Sequence, residues 1–124
     1  MSNREHLRIE QQISIVIDYF VKDNDSNTYK PRLLICEGLD VSSGGLKIHV
    51  DRELPLQAIY QVALKTQTKE FRLAIQTKWL KSIDDKLPEY AIGLQILESD
   101  ETDIVAWKEW VAEQLDIDDV DLPI

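Results

Sequence analysis

The chain has 124 residues, 44% hydrophobic and 30% charged, with a formal net charge of −9; this predicts one ordinary globular domain, neither fibrous nor disordered. One cysteine, Cys36, excludes an internal disulfide and a cysteine metal cluster, no apolar run reaches the roughly 18 residues of a membrane span, and "MSNREHLRIEQQ" has no apolar signal core, so a reducing cytoplasm is expected. The acidity is local: residues 1–97 carry 13 Lys+Arg and 13 Asp+Glu, whereas residues 98–124 carry one lysine and ten acids.

A body without net charge does not repel an anion. It also lacks the basic stripe that follows a nucleic-acid backbone, so DNA and RNA are not expected partners.

In chain order, residues 1–12 read as an N-terminal arm and residues 13–97 as an all-β body, a barrel or a sandwich. "ISIVIDYFV" (13–21) alternates Ile13, Ile15, Ile17, Tyr19 and Val21 on one face, a strand rich in β-branched residues. "KDNDSNTYKP" (22–31) is a polar loop, and "RLLICEGLDV" (32–41) a second strand in which Cys36 serves as a small core hydrophobe. "LKIHV" (46–50) alternates Leu46, Ile48 and Val50 against Lys47 and His49. "AIYQVALKT" (58–66), "FRLAIQTKWLK" (71–81) and "YAIGLQIL" (90–97) complete six short strands joined by turns. Such a series predicts an antiparallel barrel or sandwich, because connections this short make hairpins.

The period then changes. Residues 98–117 predict one helix, with Asp100, Glu101 and Asp103 near its start and Ile104, Trp107, Val111 and Leu115 as its apolar stripe, laid on an edge or mouth of the barrel. Trp110 lies off that stripe, as peripheral packing or as part of a partner surface. Residues 118–124 form an acidic tail.

Catalytic groups are sparse. His6 and His49 are the only histidines, and a Ser42–His49–Asp triad lacks a nucleophile elbow and has its histidine at solvent-facing phase. Neither enzyme chemistry nor a metal or other cofactor is expected. Two short patterns remain. "REHLR" sets Arg4 and Arg8 four apart before the first strand, and "DVSSGG" sets Asp40, Ser42 and Gly45 as D-x-S-x-x-G before the third. Each alone is weak, and their joint placement is the signal.

With both patterns present, residues 4–97 resemble a PilZ domain, the bacterial receptor module for the second messenger cyclic di-GMP. Further echoes are "GGLKIHV", "AIQTKWL" ending in Trp79, and "YAIGLQIL" with Gly93. The resemblance implies a six-stranded antiparallel β-barrel followed by a C-terminal α-helix, in agreement with the strand count. It implies a non-enzymatic receptor whose ligand is held by Arg4, Arg8, Asp40, Ser42 and Gly45, with Asn3, Ser43 and Gly44 as additional candidates. Asn3, just before the first arginine, sits where the family sets one ligand or a stacked pair. The 31 residues between Arg8 and Asp40 make a long separation, which the 22–31 loop would absorb.

The chemistry suits those residue types. Arginine's planar fork holds a phosphate, pairs with guanine O6 and N7, or stacks on the purine. An Asp40 carboxylate accepts from guanine N1–H and N2–H2, a donor pair adenine lacks, and the Ser42 hydroxyl is a rotatable partner. Gly44 and Gly45 are expected to give unusual φ angles and close approach of the ligand. Binding would order the arginine arm and change the surface offered to an effector protein, in motility, biofilm or a related output. A homodimer is compatible with the sequence. The alternative is a PilZ-like interaction module that binds no nucleotide; an oligonucleotide-binding barrel would need basic and aromatic faces that this chain lacks.

Overall fold

The structure, a computed structural model, describes residues 12–119. It contains six strands, β1 (Ile13–Asp23), β2 (Thr28–Gly38), β3 (Gly45–Val50), β4 (Ile59–Lys65), β5 (Glu70–Asp84) and β6 (Glu89–Ile96), then one helix, α1 (Ile104–Asp119). All pair antiparallel in the order β2-β1-β4-β5-β6-β3. The edge strands β2 and β3 follow one another in the chain and meet at one bridge, where Leu39 and Lys47 exchange backbone bonds of 2.7 and 2.8 Å. The sheet therefore rolls into a barrel pinched together at that bridge rather than laddered along the whole seam.

Alternation builds the core. Ile13, Ile15 and Ile17 of β1 face inward with Leu46 and Ile48 of β3, Val62 and Leu64 of β4, Leu73 and Ile75 of β5, and Ile92 and Leu94 of β6. Burial of each such side chain contributes about 1.5–3 kcal/mol. Cys36 is half-buried against this core, and burial pushes its thiol up to about 11, so it stays protonated.

The expected 22–31 loop is much shorter. β1 and β2 pair without a break from Ile13↔Gly38 to Asp23↔Thr28, leaving residues 24–27 as the turn. Backbone pairing carries polar residues such as Lys22 and Lys30 into strands that their composition alone assigns to a loop. β4 pairs with β1 only over Ser14–Ile17, so the far part of the β1–β2 hairpin projects as a two-stranded ribbon. That ribbon absorbs the long spacing between the two sequence patterns.

The helix also differs from expectation. It begins at Ile104 rather than 98, because Thr102 turns back to Ser99 through both its N–H and its hydroxyl, and Asp103 is occupied by β5. Trp110 is buried, which corrects its placement off the stripe and removes it as an exposed partner surface. Its ring stacks on Trp107 at 5.6 Å, and both pack on Phe71 of β5. The helix extends through Asp119, two residues beyond its expected end, and residues 120–124 of the expected tail lie outside the described residues.

Candidate functional site

The expected site straddles the described boundary. Arg4, Arg8 and Asn3 lie outside the described residues; Asp40, Ser42, Ser43, Gly44 and Gly45 lie inside and share one loop. That loop joins β2 to β3. Val41, 3% exposed, anchors it in the core, while Asp40 and Ser42 on either side face solvent. Asp40 adopts φ 51°, a left-handed conformation that Asp tolerates better than most non-glycine residues. Its carboxylate is held by the Lys47 ammonium at 2.9 Å. The Ser42 N–H donates to the Gly45 carbonyl at 2.9 Å, and its hydroxyl reaches the same oxygen at 3.3 Å. The loop is also tied from outside: Ile96 N–H donates to the Gly44 carbonyl at 2.9 Å, and the Trp107 indole N–H to the Ser43 carbonyl at 3.2 Å.

The glycines act differently from expectation. Neither Gly44 nor Gly45 has positive φ; the left-handed residue of the loop is Asp40. A Cβ on Gly45 would lie 2.6 Å from the Leu94 carbonyl oxygen, so Gly45 lets the loop enter the sheet against β6. A Cβ on Gly44, at the rim of the adjoining cleft, would meet nothing within 4 Å, so packing does not require a glycine there.

The cleft beside this loop encloses about 420 Å³ and is lined by Asp40, Ser42, Gly44 and Gly45 together with Lys47, Lys78, Trp79, Gly93 and Gln95. A bulge creates its floor. From Phe71 onward β5 alternates strictly, which would turn Trp79 into the core; instead the register slips between Thr77↔Leu94 and Trp79↔Gly93. Lys78 is the extra residue, so Trp79 faces outward and Leu80 takes the inward place. Thr77 fixes the slip, its buried hydroxyl donating to the Pro55 carbonyl at 2.5 Å and accepting from Ala58 N–H at 3.1 Å. Across the three strands Lys47, Gly93 and Trp79 then form one row. The Trp79 indole lies on Gly93, where an added Cβ would come within 2.2 Å of ring atoms.

The arrangement offers a carboxylate acceptor, two lysine ammonium groups and a half-exposed indole face around one cleft. Sequence reasoning assigned no site role to Lys47, Lys78, Trp79 or Gln95. Lys47 reads as a solvent-facing position of an alternating strand, and nothing local marks the bulge beyond the adjacent Lys78 and Trp79. Among the described residues no group of three His, Cys, Asp or Glu side chains is placed to hold a metal ion, and no helix is long and apolar enough to cross a membrane.

Neither the curated proteins nor the solved structures contained a match to this chain. The family model described as PilZ domain matches residues 2–113, which covers the arm, every strand and most of α1, and the chain belongs to the PilZ domain family.

Proposed function

We propose that this chain is a non-enzymatic receptor that binds cyclic di-GMP in the cleft between the Asp40–Gly45 loop and the outer face of β3, β6 and β5. The observation that carries the reading is the single row Lys47–Gly93–Trp79 beside Asp40. It brings an anion partner, a stacking surface and a guanine-edge acceptor into one cleft. A volume of about 420 Å³ lies in the range of small-molecule sites, about 300–1,000 Å³. Asp40 accepts from guanine N1–H and N2–H2, Trp79 stacks a purine face, and Lys47 and Lys78 draw the phosphates. Lys47 already holds Asp40 in place, so the acceptor is preorganised before ligand arrives.

Arg4 and Arg8 supply the remaining phosphate and guanine contacts in this reading. What supports them is chain geometry. β1 starts at Ile13, paired with Gly38 and so two residues from Asp40. Arg8 is five residues upstream, a reach of at most about 18 Å for extended chain. Arginine-arm closure over the ligand would then change the surface offered to an effector protein in the cytoplasm, with motility or biofilm as outputs typical of such signalling.

Isothermal titration with cyclic di-GMP, with GTP and cyclic di-AMP as controls, tests the reading. Binding selective for cyclic di-GMP is expected, with Arg4→Ala and Arg8→Ala each weakening it about ten- to a hundred-fold, the loss of a charged hydrogen bond. No heat at millimolar ligand, or unchanged affinity in both variants, would discard the site and leave a PilZ-like interaction module.

A further inference from the structure

Trp107 is fully buried in the first turn of α1, yet its indole N–H crosses to the site loop and donates to the Ser43 carbonyl at 3.2 Å. A buried indole N–H needs an acceptor, and the loop supplies this one. Among the described residues no buried side-chain polar atom is left without a partner, so an excursion of the loop away from α1 would orphan this donor. The other end of the lever is fixed. Arg72 N–H donates to the Asp103 carboxylate at 2.8 Å, Asp103 N–H donates back to the Arg72 carbonyl at 2.8 Å, and Trp107 N–H donates to the Asp103 carbonyl at 2.8 Å. The first turn of α1 is thereby locked to β5, and the indole is clamped between Phe71 and Trp110. One residue further along the loop, the Gly44 carbonyl is held by Ile96 of β6.

We propose that Trp107 is a positioning residue of the site: through the Ser43 carbonyl it holds the Asp40–Gly45 loop in its ligand-ready shape and couples occupancy of the cleft to docking of α1. Its effect on affinity rests on the cyclic di-GMP reading, whereas its hold on the loop does not. Linkage makes the coupling reciprocal, so a ligand that steadies the loop also steadies the indole bond.

The test compares Trp107→Phe with Trp110→Phe, the same substitution one turn on and against the same Phe71 ring. Amide hydrogen exchange is followed at Ser42 and Ile96, whose N–H groups bond to the loop carbonyls, and at Leu64 in the core as a reference. Without ligand, Trp107→Phe is expected to speed exchange at Ser42 and Ile96 about tenfold relative to Leu64, with Trp110→Phe leaving those ratios as in wild type. Cyclic di-GMP affinity should fall about tenfold in the first variant and stay within twofold in the second. Equal changes in both variants, or unchanged ratios in Trp107→Phe, would overturn the proposal.

Should Trp107→Phe not fold, the indole proton of wild type decides. It is expected to exchange far more slowly than that of exposed Trp79, and more slowly again with cyclic di-GMP present. Exchange as fast as Trp79's would overturn the proposal. If wild type ignores cyclic di-GMP, the receptor reading fails, while the ligand-free exchange comparison still decides the role of Trp107.

Discussion

Two connections of similar composition carry the contrast in this molecule. The β1–β2 turn, "NDSN" after Asp23, and the β2–β3 loop, "DVSSGG", both combine carboxylates with small polar residues. The turn satisfies itself. Asp23 accepts from the Asp25 N–H and the Ser26 hydroxyl at 3.0 Å each and pairs with Lys30 at 3.2 Å, while Asn27 closes the bend at φ 56°. The loop has one internal tie, Ser42 to the Gly45 carbonyl, and is otherwise held by distant elements, with Ile96 and Trp107 on its carbonyls and Val41 sunk in the core. A connection whose polar groups are spent on one another is a link between strands. One held by its surroundings leaves side chains such as Ser42 facing a cleft on a rigid scaffold, which is how binding loops are built.

The largest effect should come from removing the Asp40 carboxylate without disturbing its backbone. Glycine adopts φ 51° at no steric cost, so Asp40→Gly isolates the charge. Titration should show cyclic di-GMP affinity reduced about ten- to a hundred-fold, a larger effect than loss of the surface Lys47 pair, which is worth at most about 1 kcal/mol of stability.

Gly45→Ala comes next. Its Cβ would press on the Leu94 backbone, so urea unfolding should lose about 1–3 kcal/mol, and binding should weaken alongside. Gly44→Ala sharpens the same point from the other side: its Cβ enters open space, and stability should stay within about 0.5 kcal/mol of wild type. If the two alanines behaved alike, the distinction between an inserted and an open glycine would be wrong.

The smallest effect belongs to the self-contained turn. The Asp25 N–H, then Ser26 and Lys30, hold the Asp23 carboxyl below its ordinary value. A depressed carboxylate stabilises the fold above its unfolded value, about 3.9, and loses that contribution as pH falls through the folded one. Amide exchange in the β1–β2 ribbon should therefore be faster in Asp23→Asn than in wild type at pH 7. The difference should fade as the acid range below about pH 3.9 is crossed. Cyclic di-GMP affinity should not change. Weaker binding in this variant would erase the contrast between the two connections.

Much of this was legible in one dimension. Ile13, Ile15 and Ile17, or Leu46, Ile48 and Val50, alternate because a pleated strand with one buried face demands it, and those assignments match the strands observed. The pairing of polar Lys22 with Tyr29 was not legible, because cross-strand hydrogen bonds override composition once the hairpin registers. Nor was the burial of Trp110, whose ring is held by stacking on Trp107 and a tilted contact with Phe71, tertiary neighbours that helical spacing alone does not supply. Within the candidate site, Asp40, Ser42 and Gly45 announced themselves as a pattern, while Lys47 on β3 and Lys78 and Trp79 on β5 come together only in the fold.

The amino-acid order by itself determined six antiparallel strands, a closing helix and a small polar loop between the second and third strands, since periodicity and turn chemistry are local properties. Tertiary structure alone decided that the loop has a floor. A one-residue slip at Lys78 turns Trp79 from the core to the surface over Gly93, and the Ser43 carbonyl finds its donor 64 residues away in α1. Register and long-range hydrogen bonds depend on which strands meet, and a linear pattern does not contain that.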